Sequence, residues 1–427
     1  MDIEQISQMV FRHRDSGHIS TDTRTLAPGD VYVGLKGENF DGNAFVKDAL
    51  EKGARLAIID NPTYKIDERC IVVENSLLTL QRLATIYRHT FSIPVLALGG
   101  SNGKTTTKEL AAGVLSTKYH VHTTKGNLNN EIGVPLTLLA MPRDTEIAVI
   151  EIGANHPGEH IVLMNIASPT HVLVTNNGMD HLEGFGSIEG VRTANKEIFD
   201  EAKKKAAFAF VNKSLVDLIE DSDGLTRILY PEHAYASTSG LYAGLTYGGT
   251  TISSELFGSF NEANILAAIA VGEKFEVPLN EIVEAIASYQ PTLKRSQVIK
   301  KEGYTLIVDC YNANPTSMEL SLSDFFTATP AGNRVVIIGD MFEVGESEAE
   351  AHKKILELVA GKADAHDIVM CVGPRFSLHT ADFPFHFFLS PAEAKYFFDT
   401  LNLMDKKIFL KASRGMRLEN ILTNFSS

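Results

Sequence analysis

The chain is poor in cysteine and has fewer basic than acidic residues. Its 427 residues include only 3 cysteines, Cys70, Cys310 and Cys371, which stand far apart. This spacing supports neither a disulfide framework nor a paired metal site, so we expect three small buried side chains. The formal net charge of -14 argues against a nucleic-acid partner, which would usually meet a basic face. Phosphate ligands are compatible with this charge, because backbone amides can hold an anion.

The segments that lead a chain into a membrane are also absent from the sequence. The first residues, Met1-Asp2-Ile3-Glu4, show no basic stretch followed by an apolar one, so we expect no signal peptide. No apolar run reaches the length needed to span a bilayer. Hydrophobic residues make up 44% of the chain and charged residues 22%, the balance of an ordinary soluble globular protein. We therefore expect a reduced, cytoplasmic, enzyme-like chain with no membrane insertion.

The alternation of apolar runs predicts an α/β protein of three domains, since 427 residues exceed what one core usually holds. Residues 1–91 mix short strands with helices and are expected to form a small mixed α/β domain. Residues 92–294 alternate strand-like runs with helical segments, which indicates a parallel sheet covered by helices on both faces. A glycine-containing stretch within them, 237–251, predicts hairpins at the sheet edge. Residues 295–427 are expected to form a third, Rossmann-like α/β unit, and 290–295 a hinge.

Periodicity places the individual elements of the two larger domains. The predicted strands are 94–98, 146–151, 171–175, 206–211, 305–309, 334–338, 367–372 and 407–410. The predicted helices include 188–202, 262–274, 279–287 and 347–359. Residues that follow strand ends are therefore the first candidates for ligand binding, because open parallel sheets bind ligands there.

A glycine-rich turn between a strand and a helix is the most informative segment. The apolar run 94–98 leads into Gly99-Gly100-Ser101-Asn102-Gly103-Lys104-Thr105-Thr106. Glycines let several amides point at one anion, Lys104 would neutralise phosphate charge, and the Thr105 hydroxyl can ligate magnesium. The strict Walker spacing is not met, because Leu98 stands where a glycine is usual. The segment predicts nucleotide binding in a central P-loop domain, and leaves a kinase, an NTPase and a ligase open.

Three polar residues after the loop are candidates for handling metal and charge. Glu151 ends an apolar strand, and its carboxylate is a suitable ligand for Mg2+. His181 follows the next strand in the same way and is a candidate second ligand. Lys196 lies within a predicted helix. Each has an ordinary alternative: a structural carboxylate, a capping histidine and a solvated helical lysine.

Taken together and in this order, these residues resemble the Mur ligase family. The resemblance runs from about Thr21 to Glu419 and rests on several separate motifs. Further matching segments are Asp22-Thr23-Arg24, 34–42, 124–135, 151–159, 181–186, 258–264, 309–317, 339–345 with His352, and 411–419. The chain departs from the family pattern where Thr23 replaces a serine, Asn43 and Phe260 replace frequent histidines, and Ala412 replaces a glycine.

The resemblance implies roles for particular side chains, each at a position that matches a family motif. The catalytic residues implied are Lys104, Lys196, His181 and Arg295. The nucleotide-binding residues implied are Gly100, Ser101, Asn102, Gly103, Lys104, Thr105, Thr106, Asn261, Asn264 and Asp309. The substrate-binding residues implied are Thr23, Arg24, Lys36, Phe40, Asp41, Asn129, Asn130, Tyr311, Asn312 and Ser413. The metal ligands implied are Thr105, Glu151, His181 and Lys196, the last after carbamoylation, which turns a cation into a carboxylate-like ligand.

A chain of this kind is expected to be an ATP-dependent, ADP-forming amide ligase. The resemblance implies that D-alanyl-D-alanine is joined to a UDP-N-acetylmuramoyl-tripeptide through an acyl phosphate, to form a peptidoglycan precursor. ATP and Mg2+ are the implied cofactors, the partners are small molecules, and the protein is expected to be a monomer. The first domain would bind the uridine nucleotide, the second ATP and metal, and the third the dipeptide. Two alternatives stay open: a sister ligase that adds a single amino acid to the precursor or glutamate to folate, and a non-catalytic nucleotide-binding protein.

Overall fold

The computed structural model describes residues 1–12, 18–37, 39–238, 240–292 and 294–422. They form three α/β units, each built around its own sheet. Three predicted segments contain a residue outside this set: Glu38 in the 34–42 motif, Ser239 in the predicted hairpin stretch 237–251, and Leu293 in the predicted hinge.

The first unit is a four-stranded parallel sheet with helices on both faces. Its strands are β1 (Ile19–Ser20), β2 (Val31–Val33), β3 (Lys36–Gly37), β4 (Phe40–Asp41), β5 (Leu56–Ile59) and β6 (Cys70–Val72), and its helices are α1 (Ile3–Phe11), α2 (Val46–Glu51) and α3 (Ser76–Arg88). The sheet order is β1-β2-β5-β6, while β3 and β4 pair separately. Val31 and Val33 face one core and Tyr32 the other, because side chains alternate along a strand.

The central unit is a six-stranded, fully parallel sheet. Its strands are β7 (Val95–Gly99), β8 (Val121–Thr123), β9 (Ile147–Glu151), β10 (His171–Val174), β11 (Phe208–Asn212) and β12 (Thr226–Tyr230), in the order β12-β11-β10-β7-β9-β8. Its helices are α4 (Lys104–Ser116), α5 (Gly133–Leu139), α6 (Glu159–Ala167), α7 (Leu182–Phe185), α8 (Ile188–Lys204) and α9 (Val216–Asp221). Leu96 and Leu98 pack into one core and Val95 and Ala97 into the other. Burial on both faces explains why these strands read as continuous apolar runs.

The third sheet has nine strands and mixes two directions. Its strands are β13 (Tyr235–Ser237), β14 (Tyr242–Tyr247), β15 (Thr250–Phe257), β16 (Gln297–Lys301), β17 (Tyr304–Asp309), β18 (Arg334–Gly339), β19 (Ile368–Val372), β20 (His386–Phe388) and β21 (Lys406–Lys411). The order is β13-β14-β15-β16-β17-β21-β18-β19-β20. Strands β13 to β17 pair antiparallel, and β17-β21-β18-β19-β20 pair parallel.

Six helices complete this part of the chain. They are α10 (Glu262–Lys274), α11 (Leu279–Ser288), α12 (Pro315–Ala328), α13 (Glu348–Lys362), α14 (Pro374–Ser377) and α15 (Pro391–Phe398). Short 3-10 helices lie at Gly42–Phe45, Pro62–Tyr64, Ser259–Asn261, Gly345–Ser347, Arg414–Met416 and Leu418–Ile421. Helix α10 packs on α4 of the central unit and shares a core with β14 and β15 of the third sheet, so the two larger units are interlocked.

The predicted α/β class and the parallel central sheet are confirmed. The predicted hairpins form as β13, β14 and β15, but they extend the third sheet, because Leu256 of β15 pairs with Gln297 of β16. The domain limits at 91/92 and 294/295 stay predictions. The cysteine prediction is also confirmed, since all 3 are free and buried.

Within the described ranges, every helix falls short of the combined length and apolar character that crossing a bilayer requires.

Candidate active site

A cleft of about 600 Å³ lies between the central and third units. Its walls come from the residues that follow β7, β9 and β10 on one side and β17 and β21 on the other. Open parallel sheets bind ligands beyond the carboxyl ends of their strands, and this volume lies in the range of small-molecule pockets. The cleft is therefore the candidate active site.

The turn after β7 adopts the backbone of a phosphate-binding loop. Gly100 and Gly103 have φ values of +114° and +82°. A Cβ atom at Gly100 would lie 2.3 Å from Thr175 Oγ1, and one at Gly103 would lie 2.3 Å from Asn264 Oδ1. Both positions therefore require glycine, because other residues would clash as well as strain the backbone. Helix α4 begins at Lys104, so its N-terminal amides face the cleft.

Lys104 lies along this loop. Its Nζ donates to the carbonyl oxygens of Gly100 at 2.5 Å and Ser101 at 3.0 Å. Asp180 Oδ2 lies 3.8 Å from the same nitrogen. The lysine therefore lies over the space where the loop would bind phosphate. Asp180 offsets its charge only in part, because the two charged groups are 3.8 Å apart.

Thr105 and Glu151 meet at the base of the cleft. The Thr105 hydroxyl donates to Glu151 Oε1 at 3.1 Å, and Asn129 Nδ2 donates to the same oxygen at 2.8 Å. Glu151 is 1% exposed. A hydroxyl and a carboxylate side by side match the oxygen ligands that Mg2+ takes together with substrate phosphates.

Four buried polar atoms around the cleft have no hydrogen-bond partner among the described residues: Asn102 Nδ2, Glu151 Oε2, Asp180 Oδ1 and Arg295 Nε. Leaving a buried polar atom unsatisfied costs about 1–3 kcal/mol, so such atoms usually mark a place that a ligand completes. Two of them are donors suited to phosphate, and two are acceptors suited to a cation. These residues therefore fit a nucleotide with its metal.

Lys108 is a charged residue of this site that sequence reasoning missed. Its side chain is fully buried, with Nζ 3.7 Å from Glu151 Oε2 and 2.8 Å from Glu109 Oε1. The same nitrogen donates to Thr124 O at 2.6 Å and Gly126 O at 3.2 Å. It thereby ties α4 to the loop that carries Asn129. In the sequence, Lys108 stands one helical turn beyond the phosphate loop. This position alone does not distinguish a buried lysine from a solvated one.

His181 and Lys196 occupy different surroundings. His181 lines the cleft, and its Nδ1 lies 2.7 Å from Glu343 Oε2 of the third unit. The hydrogen bond to His181 lowers the pKa of Glu343. Lys196 does not line the cleft; its Nζ pairs with Asp200 Oδ1 at 2.6 Å. In the described part of the chain, no group of three or more acidic, histidine or cysteine side chains is placed to hold a metal.

The structure thus brings Thr105 and Glu151 into contact and places His181 in the same cleft, whereas Lys196 does not line it. The metal-binding roles of all four residues stay predictions.

The predicted adenine-binding asparagines line the cleft beside α4. Asn264 Oδ1 accepts a hydrogen bond from Thr107 Oγ1 at 2.9 Å, and its Nδ2 donates to Asn261 Oδ1 at 2.7 Å. Asn261 Nδ2 in turn donates to Phe257 O at 2.8 Å. This chain of bonds fixes the start of α10 against the phosphate-loop helix.

A tyrosine and two arginines form the opposite wall. The Arg295 guanidinium carbon lies 3.5 Å from the centre of the Tyr311 ring, and that of Arg414 lies 5.1 Å from it. Asp309 Oδ2 pairs with Lys411 Nζ at 2.5 Å, and its Oδ1 accepts a hydrogen bond from the Ser296 amide at 3.0 Å. The predicted residues Arg295, Asp309 and Tyr311 are therefore gathered at one place.

The remaining predicted substrate residues divide into two groups. Asn129, Asn130 and Asn312 line the cleft, whereas Thr23, Arg24, Lys36, Phe40 and Asp41 lie on the first unit and do not. Phe40 is 53% exposed. Ser413 is buried, and its Oγ accepts from the Phe342 amide at 2.8 Å and donates to Ala313 O at 3.3 Å. These substrate roles stay predictions.

A phosphate loop that opens a helix beneath a cleft shared by two α/β units defines a nucleotide-dependent enzyme of the P-loop class. Three family models match the chain: Mur ligase family, catalytic domain, over 17–88; Mur ligase middle domain, over 98–272; and Mur ligase, glutamate ligase domain, over 294–383. The chain belongs to the Mur ligase family, and the predicted family is confirmed.

Relatives with known names and structures match nearly the whole chain. It is 32% identical over 424 residues to the UDP-N-acetylmuramoyl-tripeptide--D-alanyl-D-alanine ligase of Bacillus subtilis (strain 168), covering 95% of this chain and 92% of that one. It is similar to the crystal structure of MurF from Acinetobacter baumannii, with a TM-score of 0.85 and 28% identity over 98% of this chain and 97% of that one. It is also similar to MurF ligase from Thermotoga maritima in complex with ADP, with a TM-score of 0.84 and 27% identity, covering 95% of this chain and 96% of that one.

Proposed function

We propose that this chain uses ATP to join D-alanyl-D-alanine to a UDP-N-acetylmuramoyl-tripeptide, forming an amide bond. The observation that carries the proposal is the cleft in which the phosphate loop faces the strand ends of the third unit. The chain is an ATP-dependent ligase of the Mur family, and its full-length relatives carry this activity in their names. The product is a precursor of peptidoglycan.

The phosphate end of the cleft prepares the tripeptide carboxylate for attack. A carboxylate is a poor electrophile, and bound ATP supplies the phosphoryl group that turns it into an acyl phosphate. The amides at the start of α4 and the Lys104 ammonium hold the phosphate groups. Arg295 approaches from the third unit and offsets charge on the group in transfer. Orientation and charge stabilisation are the main contributions a protein makes to such a step.

The Thr105 and Glu151 oxygens are the proposed ligands of Mg2+, together with phosphate oxygens. Glu151 Oε2 supports this, because it is buried and accepts no hydrogen bond, although Lys108 Nζ lies 3.7 Å from it. When bound, Mg2+ offsets the negative charge of the phosphoryl group. Asn129 keeps the carboxylate in place through its hydrogen bond to Oε1.

In amide formation the dipeptide amine attacks the acyl carbon, the bond from that carbon to phosphate breaks, and phosphate and a proton are released. The amine must reach this carbon before water does. The third unit already contacts the central unit around the phosphate loop, through the Met179 amide, which donates to Thr316 Oγ1 at 3.1 Å, and through the His181–Glu343 pair. In the proposed reaction, such contacts would hold the two units together over the reacting groups and limit the access of water. Asn129 and Asn130 line the cleft, and we propose that their loop contacts the tripeptide.

The alternatives are less well supported. A sister ligase that adds a single amino acid is not favoured, since the relatives across many bacteria are named for the dipeptide. A likeness to folylpolyglutamate synthase, at 13% identity and a TM-score of 0.60, shows the fold alone. We further propose that the protein acts as a cytoplasmic monomer, and light scattering at the mass of 46.7 kDa would check the oligomeric state.

The test is phosphate release by purified protein with ATP and Mg2+, adding the UDP-linked tripeptide and D-alanyl-D-alanine singly and together. We expect release only when both are present, with a product heavier by the dipeptide. Lys104→Met provides the matched inactive control, because it removes the charge over the phosphate loop and should slow turnover about 100-fold or more. Equal activity with a single amino acid would favour a sister ligase. No release in any combination would contradict the proposed function.

A further inference from the structure

His181 has an unusual backbone conformation between β10 and α7. Its φ is +46° and its ψ is +38°, the left-handed region, which few residues other than glycine adopt. Its carbonyl oxygen accepts hydrogen bonds from the Gly184 amide at 2.9 Å and the Phe185 amide at 3.0 Å. Strained residues of this kind cluster at functional sites, and His181 lines the cleft. The backbone therefore holds the start of this side chain in one place.

The imidazole of His181 is oriented by a residue of the third unit. Its Nδ1 lies 2.7 Å from Glu343 Oε2, and the Glu183 amide donates to Glu343 O at 3.3 Å. An ionised carboxylate can only accept a hydrogen bond, so the proton of this contact must be on Nδ1. In the neutral imidazole the other ring nitrogen, Nε2, then carries a lone pair and no proton. The contact therefore selects one of the two tautomers of His181.

The loop that carries Glu343 is held on both sides by a buried histidine. His352 is 0% exposed. Its Nε2 accepts from the Met341 amide at 3.0 Å, and its Nδ1 donates to Glu348 O at 2.7 Å. Both ring nitrogens thus bind main-chain groups that precede and follow Glu343. The carboxylate reaches His181 from a preorganised loop, which reduces the entropy lost in orienting it.

We infer that Glu343 is a positioning residue, which turns His181 so that Nε2 faces the cleft as an acceptor for Mg2+; this inference rests on the proposed function. A histidine that ligates a metal usually donates its other ring N–H to a carboxylate or carbonyl oxygen, which fixes both the tautomer and the ring orientation. Glu343 supplies such a carboxylate from the third unit. It takes no part in bond making and acts only through His181.

The two residues belong to different units, so the orientation of His181 depends on how the third unit packs against the central one. The side chain of Glu343 is 52% exposed and that of His181 is 23% exposed. Water therefore competes for the contact, and Glu343 contributes direction more than strength. If the two units separated, His181 would lose this partner and both tautomers would become available. The approach of the third unit thus prepares Nε2 for the cation.

The experiment reads the tautomer directly, by 15N NMR of the metal-free, full-length protein with labelled histidine at about pH 8, where ordinary imidazoles are neutral. Among the 14 histidines, the signals of His181 are those missing from His181→Asn. Glu343→Ala removes the acceptor, and Glu343→Gln keeps a neutral acceptor oxygen. The matched control is Glu346→Ala, an exposed glutamate of the same loop that does not line the cleft. We expect a protonated Nδ1 in the wild type and the control, a mixture of tautomers in Glu343→Ala, and an intermediate spectrum in Glu343→Gln.

Steady-state kinetics provide a second readout. In Glu343→Ala, kcat should fall about 3- to 10-fold, the ratio that one hydrogen bond supports. The Mg2+ concentration that gives half-maximal phosphate release should rise, while the KM for D-alanyl-D-alanine should stay constant. Glu346→Ala should match the wild type in all three values.

A wild-type His181 with its proton on Nε2 would overturn the inference, as would an unchanged tautomer in Glu343→Ala or an equal change in Glu346→Ala. A higher KM for the dipeptide with an unchanged kcat would also overturn it, because Glu343 would then act on the substrate and not through His181. The tautomer is read without substrates or metal, so the inference can fail while ligase activity remains. No product from the wild type would instead overturn the proposed function.

Discussion

Asn314 of the third unit donates a hydrogen bond from Nδ2 to Asn102 Oδ1 of the phosphate loop, over 2.8 Å. The other end of the same side chain caps α12, since its Oδ1 accepts from the Ser317 amide at 2.8 Å. One residue therefore begins a helix in the third unit and contacts the nucleotide loop of the central unit. The position of α12 and the position of the loop are coupled through it.

This coupling predicts the behaviour of Asn314→Ser. Serine is also a good N-cap, so α12 should keep its stability, but serine is too short to reach Asn102. Loss of one hydrogen bond should lower kcat/KM about 2- to 10-fold. Asn314→Ala is the control that removes the cap as well and should cost about 1 kcal/mol of unfolding free energy in addition. Steady-state kinetics and urea unfolding should be measured for both variants. An unchanged kcat/KM in Asn314→Ser would contradict a role for the hydrogen bond between Asn314 and Asn102.

Lys108 should contribute to the stability of the folded protein, and not only to nucleotide binding. Lys108→Met would leave Glu151 buried without its cation and two loop carbonyls without their donor. Breaking a buried ion pair by removing one partner costs about 3–5 kcal/mol. Urea unfolding should report this loss, and adding Glu151→Gln should restore part of it. The exposed Lys118→Met is the control, expected within about 0.5 kcal/mol of the wild type; equal effects of the two variants would refute the prediction.

His160 should make the protein less stable in acid. Burial lowers the pKa of this histidine from 6.5 to about 4. Below pH 6.5 the unfolded chain therefore takes up a proton that the folded chain does not, and stability falls until about pH 4. The full effect is about 3 kcal/mol.

His160→Asn tests this, because the amide can keep the bond that Nδ1 makes to Ala194 O at 2.9 Å. Urea midpoints should depend less on pH between 4 and 6.5 in this variant than in the wild type. The exposed His120→Asn provides the control. If the urea midpoints of the wild type and His160→Asn changed equally with pH, His160 would not be the cause of the acid sensitivity.

Lys196 should lose its ion pair when carbamoylated. The carbamate would be an anion, and like charges would turn it away from Asp200, with which the ammonium now pairs. Lys196→Ala should then lower turnover roughly 100-fold, whereas Lys205→Ala at the C-cap of the same helix should not. A mass spectrum under gentle conditions should show the added carbon dioxide. Full activity of Lys196→Ala would identify Lys196 as a solvated helix residue.

Local features made part of this protein predictable from sequence. The central strands are buried on both faces, so they appear as apolar runs that alternate with helices. The phosphate loop is equally local, because Gly100 and Gly103 sit at positive φ values within a few residues of Lys104. Several short or partly polar strands were not predicted, among them β8, β12 and β16; β16, for example, reads Gln-Val-Ile-Lys-Lys.

By itself, then, the sequence determined the strand and helix pattern, the nucleotide loop and the family, since each depends on residues close in the chain or on motifs kept in order. Only the tertiary structure decided which side chains meet. Asn102 and Asn314 are 212 positions apart, and nothing local to either predicts their bond. The burial of Lys108 and the stacking of Arg295 and Arg414 around Tyr311 arise in the same way. Such contacts depend on how whole sheets pack against one another, and therefore appear only once the units are assembled.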